Sequence, residues 1–187
     1  SYDVTSYGTT RCEFIKVQDM HNYLWGVKDY SNTFELSGAL DPTKTSSVLT
    51  LYSSYDWQVY SHNFSSVTPM SGSSGEHQIT VTYPINNTSS SKMCQLNFTH
   101  SGSTLHKIFP FLLKPNPAKY INVTGTITGY PSGARLYIER DGEDTDSILL
   151  IGDIQDYSIY VAKNSPFKLS VWYEGNLYYE LSFVGSD

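Results

Sequence analysis

The sequence predicts an all-β chain built as two small antiparallel β-sandwich domains in tandem. Three observations carry that reading. Sixteen Tyr and three Trp in 187 residues favour strands, because aromatic side chains suit a pleated, half-buried surface. Short apolar alternations recur along the chain, separated by Ser, Gly, Asn and Thr runs that are turn chemistry. One break stands out. In Lys114-Pro115-Asn116-Pro117 two prolines remove backbone donors and hold the chain extended between strand-rich segments.

Taken in order, residues 1–22 fit neither sandwich and read as an N-terminal segment or tether, with Cys12 to Val17 as a candidate strand. The first domain is expected over 23–114. Phe34 and Leu36, Leu49 and Leu51, Trp57 and Val59, Ile79 and Val81, and Leu96 and Phe98 each mark a half-buried strand. Segments 37–42, 71–75 and 86–91 are the turns between them. Trp57 shares the parity of Val59, so it faces the first core. The closing strand at 106–113 carries Pro110, which predicts an edge or a bulge.

The second domain is expected over 118–187. Ile121, Val123, Gly125 and Ile127 face one way while Asn122, Thr124, Thr126 and Thr128 face the other. Leu136 and Ile138 continue the pattern, segments 147–154 and 157–162 add two strands, and 167–173 with 177–183 form a terminal hairpin. A three-residue loop, Glu174-Gly175-Asn176, is expected there, with Gly175 or Asn176 supplying the left-handed residue. It sets Phe167, Leu169 and Val171 opposite Phe183, Leu181 and Tyr179 on one apolar face, whereas a plain two-residue loop would set Val171 opposite Glu180. Trp172 and Tyr178 then oppose each other on the polar face, beside Lys168, Ser170, Glu180 and Ser182. Such an aromatic pair can stack a sugar ring. Tyr130 and Tyr137 lie on the neighbouring stretch, so the candidate ligand-binding residues are Trp172, Tyr178, Tyr137 and Tyr130.

The order of motifs in the first half resembles a known family. Thr33-Phe34-Glu35-Leu36-Ser37 is followed by Ser47-Val48-Leu49-Thr50-Leu51 and by Tyr55-Asp56-Trp57-Gln58-Val59, similar to a Ser-x-Trp-x-Val strand. Next comes Ser66-Val67-Thr68-Pro69-Met70-Ser71-Gly72, similar to a Val-Ser-Pro-x-Ser-Gly turn, and then Gln78-Ile79-Thr80-Val81-Thr82. Together they make 23–113 resemble a BACON domain, a carbohydrate-associated module of Bacteroidetes that is often N-terminal. The resemblance implies an immunoglobulin-like sandwich on an exported bacterial protein, at the cell surface or in the periplasm, that acts on or binds glycans. It identifies no binding residue. Residues 118–187 distantly resemble transthyretin-like or carboxypeptidase-regulatory-like modules, through Val123-Thr124-Gly125 and a strand-Gly-strand rhythm.

Catalytic patterns are missing from the sequence. The histidines His21, His62, His77, His100 and His106 are scattered, without the spacing a zinc hydrolase needs. There is no GxSxG elbow, P-loop or GxGxxG. A glycosidase needs two carboxylates facing across a deep cleft, for which two small sandwiches leave little room. The expectation is therefore no enzyme, no metal and no cofactor. Asp141-Gly142-Glu143-Asp144-Thr145-Asp146 puts four carboxylates between two strands; a solvated hairpin tip that discourages edge pairing accounts for it better than a Ca²⁺ loop. The Asn-x-Ser/Thr tripeptides at Asn63, Asn86, Asn87, Asn97 and Asn122 arise readily by chance in a Ser/Thr-rich chain. Cys12 and Cys94 stand too far apart for a CxxC pattern, leaving a long-loop disulfide or two buried thiols.

A net charge of −6, with twelve Lys plus Arg and no basic cluster, repels phosphate backbones and excludes nucleic acid as a partner. No apolar run is long enough for a transmembrane segment, which leaves any membrane attachment to a lipid anchor outside this chain. The functional expectation is an exported cell-surface protein for recognition or adhesion, its partners glycans or surface polysaccharide. The alternative is a structural spacer or scaffold module of a surface lipoprotein or surface complex. Nothing in the sequence sets an oligomeric state.

Overall fold

A computed structural model of the chain describes residues 34–101 and 106–185. The candidate strand at Cys12 to Val17, the 1–22 tether and the Cys12 half of a disulfide lie outside the described residues. Every regular element among those described is a strand, and every strand pairing with a resolved register is antiparallel. The all-β class is thus as the sequence predicts.

The chain forms two compact units. The first comprises the described part of Ser1–Leu40, with Ser46–Tyr83 and Cys94–Phe111; the second comprises Asp41–Thr45, Pro84–Met93 and Leu112 onward.

In the first unit, one sheet orders β1 (Phe34–Ser37), β2 (Ser46–Ser53), β6 (Gly75–Thr82) and β4 (Ser66–Thr68). The other orders β5 (Ser71–Gly72), β3 (Trp57–His62), β7 (Lys92–His100) and β8 (His106–Leu113). Phe34, Leu49, Leu51, Trp57, Ile79, Leu96 and Phe98 have no exposed surface, so the period-2 rows do face the core. The stretch expected as one turn at 66–72 instead makes β4 and β5, which belong to different sheets and flank a cis Thr68–Pro69 bond. Pro110 sits in β8 at a sheet edge, where a missing donor is tolerated. Cys94 is buried, its Sγ 3.6 Å from the Asn63 carbonyl.

The second unit sets a four-stranded sheet, ordered β11 (Asp146–Leu149), β10 (Arg135–Arg140), β13 (Pro166–Tyr173) and β14 (Asn176–Val184), over the two-stranded sheet of β12 (Ile154–Ala162) and β9 (Tyr120–Thr128). Leu136, Ile138, Ile159, Val161, Phe167, Leu169 and Val171 fill the space between. The strand expected over 147–154 ends at Leu149. Leu150 turns inward, its N–H bonding the Ala134 carbonyl, and Gly152 reverses the chain at φ 77° before β12 begins.

The Asn-rich segment at 86–91 is anchored in this unit. Asn86 is 1% exposed. Its amide donates to the Ser90 and Leu113 carbonyls, and its oxygen accepts from the Thr88 N–H and hydroxyl. Asn116, between the two linker prolines, donates its N–H to the Asn86 carbonyl and its amide to the Asn87 side chain. The acidic loop after β10 is exposed, and two of its carboxylates are engaged: Arg140, whose side chain is 7% exposed, bonds Asp146 at 2.6 Å and approaches Glu143.

Candidate functional site

The site begins with strand parity. Leu136 and Ile138 point into the core, so Arg135, Tyr137 and Glu139 of β10 point out. On β13, Phe167, Leu169 and Val171 point in, which turns Lys168, Ser170 and Trp172 outward. The β10–β13 register places Arg135 opposite Trp172, Tyr137 opposite Ser170 and Glu139 opposite Lys168. Trp172 and Tyr137 are therefore diagonal neighbours on one face, within reach of a common ligand. They line a shallow depression of about 420 Å³, with Arg135, Glu139, Tyr173 and Glu174 at its sides.

Trp172 is 37% exposed, and its indole N–H donates to the Ser170 hydroxyl at 3.1 Å. That bond fixes the indole along its own strand over a hydroxyl that is itself buried. The Arg135 guanidinium bonds the Ser147 hydroxyl through Nε at 3.2 Å and through a terminal nitrogen at 2.9 Å, which pre-orients it. Lys168 lies between Glu139 at 3.5 Å and Glu180 at 3.1 Å. The hydrogen bond that Lys168 donates to Glu180, then the charge of Glu139, raises the Lys168 pKa. At the rim, the Tyr173 phenol is also held above its ordinary pKa, first by a hydrogen bond with Glu174 and then by its charge.

The sequence-predicted residues divide. Trp172 and Tyr137 share the depression. Tyr178 does not oppose Trp172. The hairpin turns on two residues, Glu174 and Gly175, both with positive φ (49° and 80°), so Tyr173 pairs with Asn176 and Trp172 with Leu177. A β-bulge between Val171 and Trp172 then takes up Tyr178 as the extra residue and restores Val171 opposite Tyr179, Leu169 opposite Leu181 and Phe167 opposite Phe183. The apolar face is as expected, reached by a different loop. Tyr178 meets Tyr173 edge-on, with ring centroids 6.5 Å apart. Tyr130 is not a surface aromatic: it is 8% exposed, belongs to the core, and donates its hydroxyl to the Ile151 carbonyl.

Arg135 and Glu139 complete the site and were readable from parity, since they alternate with inward Leu136 and Ile138. Chemically the face offers an aromatic platform, a fixed cationic donor and carboxylate acceptors. The described histidines all precede Leu112, away from these strands in sequence. Among the described residues no group of three His, Cys, Asp or Glu side chains is placed to hold a metal, and no helix is long and apolar enough to cross a membrane.

No family model matches the chain, and the likeness of 23–113 to the BACON domain is one of motif order. No curated protein matches it either. Among solved structures, the chain is similar to the BSP domain of a biofilm-associated protein, at 10% identity and a TM-score of 0.31. That match covers 83% of this chain and 30% of the other, so the chain spans less than a third of that structure's length.

Proposed function

We propose that this chain is an exported, non-catalytic recognition module of a bacterial cell surface that binds glycan on the outer face of its C-terminal sheet. The observation that carries the reading is the Trp172–Tyr137 depression: an indole fixed by Ser170 and partly open to solvent, with the Arg135 guanidinium beside it. A sugar ring has an apolar face that stacks on an indole and an equatorial rim of hydroxyls that bond charged donors and acceptors. Arg135 would donate to that rim and Glu139 would accept from it. The motif order of 23–113 supports export and a link to glycans through its resemblance to the BACON domain. On the same face Lys168 pairs with both Glu139 and Glu180, which holds the carboxylates in place beside the aromatic platform.

The test is a glycan array with the intact chain, followed by titration of any ligand found against Trp172→Ala and Tyr137→Ala. Binding should fall at least about tenfold in each variant. Thermal stability should drop by less than about 1 kcal/mol, as for a surface substitution. Silence across the array would transfer the assignment to a structural spacer. A loss above about 2 kcal/mol for Trp172→Ala would make the indole a packing residue.

A further inference from the structure

Among the edges of the four-stranded sheets, β14 stands apart; β9 and β12 of the two-stranded sheet are as long and as free of lysine and proline, but the inward residues from Ile121 to Ile127 and from Tyr157 to Val161 are half-buried or buried. Among the described residues β1, β4, β5 and β11 span only four, three, two and four residues. The longer edge β8 carries Lys107 and Pro110. Those are the devices that keep sheet edges from pairing with another chain. β14 has nine residues, no proline, no lysine or arginine, and a single charge, Glu180. Its bulge lies at Tyr178, so Tyr179–Val184 runs as regular strand.

The inward row of that strand is uncovered as well. Tyr179, Leu181 and Phe183 are 47%, 57% and 42% exposed, because the two-stranded sheet that faces the four-stranded one meets β14 at its Tyr179 end, where the Tyr179 hydroxyl donates to the Thr128 carbonyl, and leaves the rest of the row open. An apolar cleft of about 260 Å³ opens there, lined by Ile127, Leu169, Tyr179 and Leu181 among others. An edge with unpaired backbone groups above an exposed apolar row calls for an extended strand that alternates apolar residues.

We propose that the occupant is β14 of a second copy of this chain, paired antiparallel about a two-fold axis at Leu181. Register and charge support this. Centred on Leu181, the pairing sets Leu181 against the second copy's Leu181 and Tyr179 against its Phe183, both apolar on the inward face. On the outward face it sets Glu180 against the second copy's Ser182. Ser182 is the direct partner of Lys168 within its own chain, so each Glu180 meets a surface backed by a cation. Centring one residue earlier would press two Glu180 carboxylates together, which is destabilising. The favoured pairing is self-complementary, as a two-fold interface must be. It joins two four-stranded sheets into one continuous sheet and sets the two inward apolar rows side by side.

Sedimentation equilibrium of the full chain over a concentration series tests the proposal. The wild-type chain should populate a dimer as concentration rises. Ser182→Glu places its new carboxylate beside Lys168 within the chain and against Glu180 across the interface. It should fold normally yet weaken dimerisation about tenfold, the two symmetric contacts acting together. Leu181→Lys, which sets two ammonium groups at the axis, should abolish the dimer, with far-ultraviolet circular dichroism confirming that each variant is folded. A wild-type chain that stays monomeric throughout would overturn the proposal and leave the edge to a strand of a different protein. A dimer indifferent to Ser182→Glu would equally overturn it, because some other surface would then hold the copies together.

Discussion

The ring of Tyr157 lies across Gly125. The two are direct cross-strand partners, and a Cβ built on Gly125 would stand 2.6 Å from Tyr157 Cζ and 2.7 Å from Cε1. Glycine weakens a strand interior unless something close needs its missing side chain. Here the ring fills that space over the inward row of β9. Gly72 and Trp57 repeat the device in the first unit, where a Cβ would come within 2.8 Å of the indole Cζ2.

Gly125→Ala should therefore destabilise the protein by about 1–3 kcal/mol through overpacking. In a Tyr157→Ala background the same substitution should cost little, since the space is open and alanine suits a strand better than glycine. A double-mutant cycle by urea denaturation checks this. Equal costs in both backgrounds would show that the ring is not what requires the glycine.

Asn86 supports a second prediction. Its side chain makes four hydrogen bonds in a site with almost no exposure, joining the loop before β7 to the end of β8. Asn86→Ala leaves the buried Leu113 carbonyl without the amide and frees the Thr88 N–H, while Ser90 keeps the Thr88 hydroxyl as donor, and the expected loss is about 1–3 kcal/mol. Asn87→Ala, one position on and exposed, removes only the bond from Asn116 and should cost under about 1 kcal/mol. Similar losses for both would mean that Asn86 does not organise the loop.

Much of this was legible in the sequence because a strand exposes alternate residues. The rows through Trp57 and Val59 and through Leu136 and Ile138 needed only parity, and parity also puts Arg135, Tyr137 and Glu139 on one face. Four features escaped. The bulge at Tyr178 adds a residue without changing the hydrophobic pattern on either side, so the pattern suits a three-residue loop as well as a two-residue loop plus bulge. Tyr130 follows Gly129 in a turn, outside any alternation, so nothing in its neighbours signals burial. The short strands β4 and β5 carry too few residues to show a period. Asn86 escaped differently: its Asx turn is written in Asn-x-Thr, but the partner at Leu113 is distant in sequence.

The charge arrangement on the outer sheet face sets a pH response. Folding raises the Lys168 pKa above its ordinary 10.5. Its stabilising contribution is thus fully present below the unfolded-state pKa and disappears as pH rises through the folded-state value. Lys168→Met should lower the melting temperature at neutral pH and converge on wild type as pH rises through the folded-state value. Added salt should shrink the gap at neutral pH, because the pair is exposed. A gap unchanged across that range would show that the stem, and not the charge, is what Lys168 contributes.

The hairpin at Glu174-Gly175 supplies the last prediction. Both residues adopt positive φ, as a two-residue turn of the mirror-image type requires for strands with the usual right-handed twist. Gly175 does so without strain, whereas Glu174, at φ 49°, carries a Cβ into the left-handed region and is destabilised by about 1 kcal/mol or more. Asparagine tolerates that conformation better than other side chains, so Glu174→Asn should stabilise the protein by about 0.5–1 kcal/mol. Gly175→Ala should do the opposite, by a similar amount. The same Glu174→Asn change has a spectroscopic consequence. It removes the hydrogen bond and charge that hold the Tyr173 phenol above 10.0, so one tyrosine should ionise at lower pH in a difference titration of tyrosinate absorbance. A three-residue loop would leave Glu174 in the ordinary right-handed region, and Asn there would bring no gain. Stabilisation together with earlier ionisation of one tyrosine would therefore establish both the turn and the contact it makes with the rim of the site.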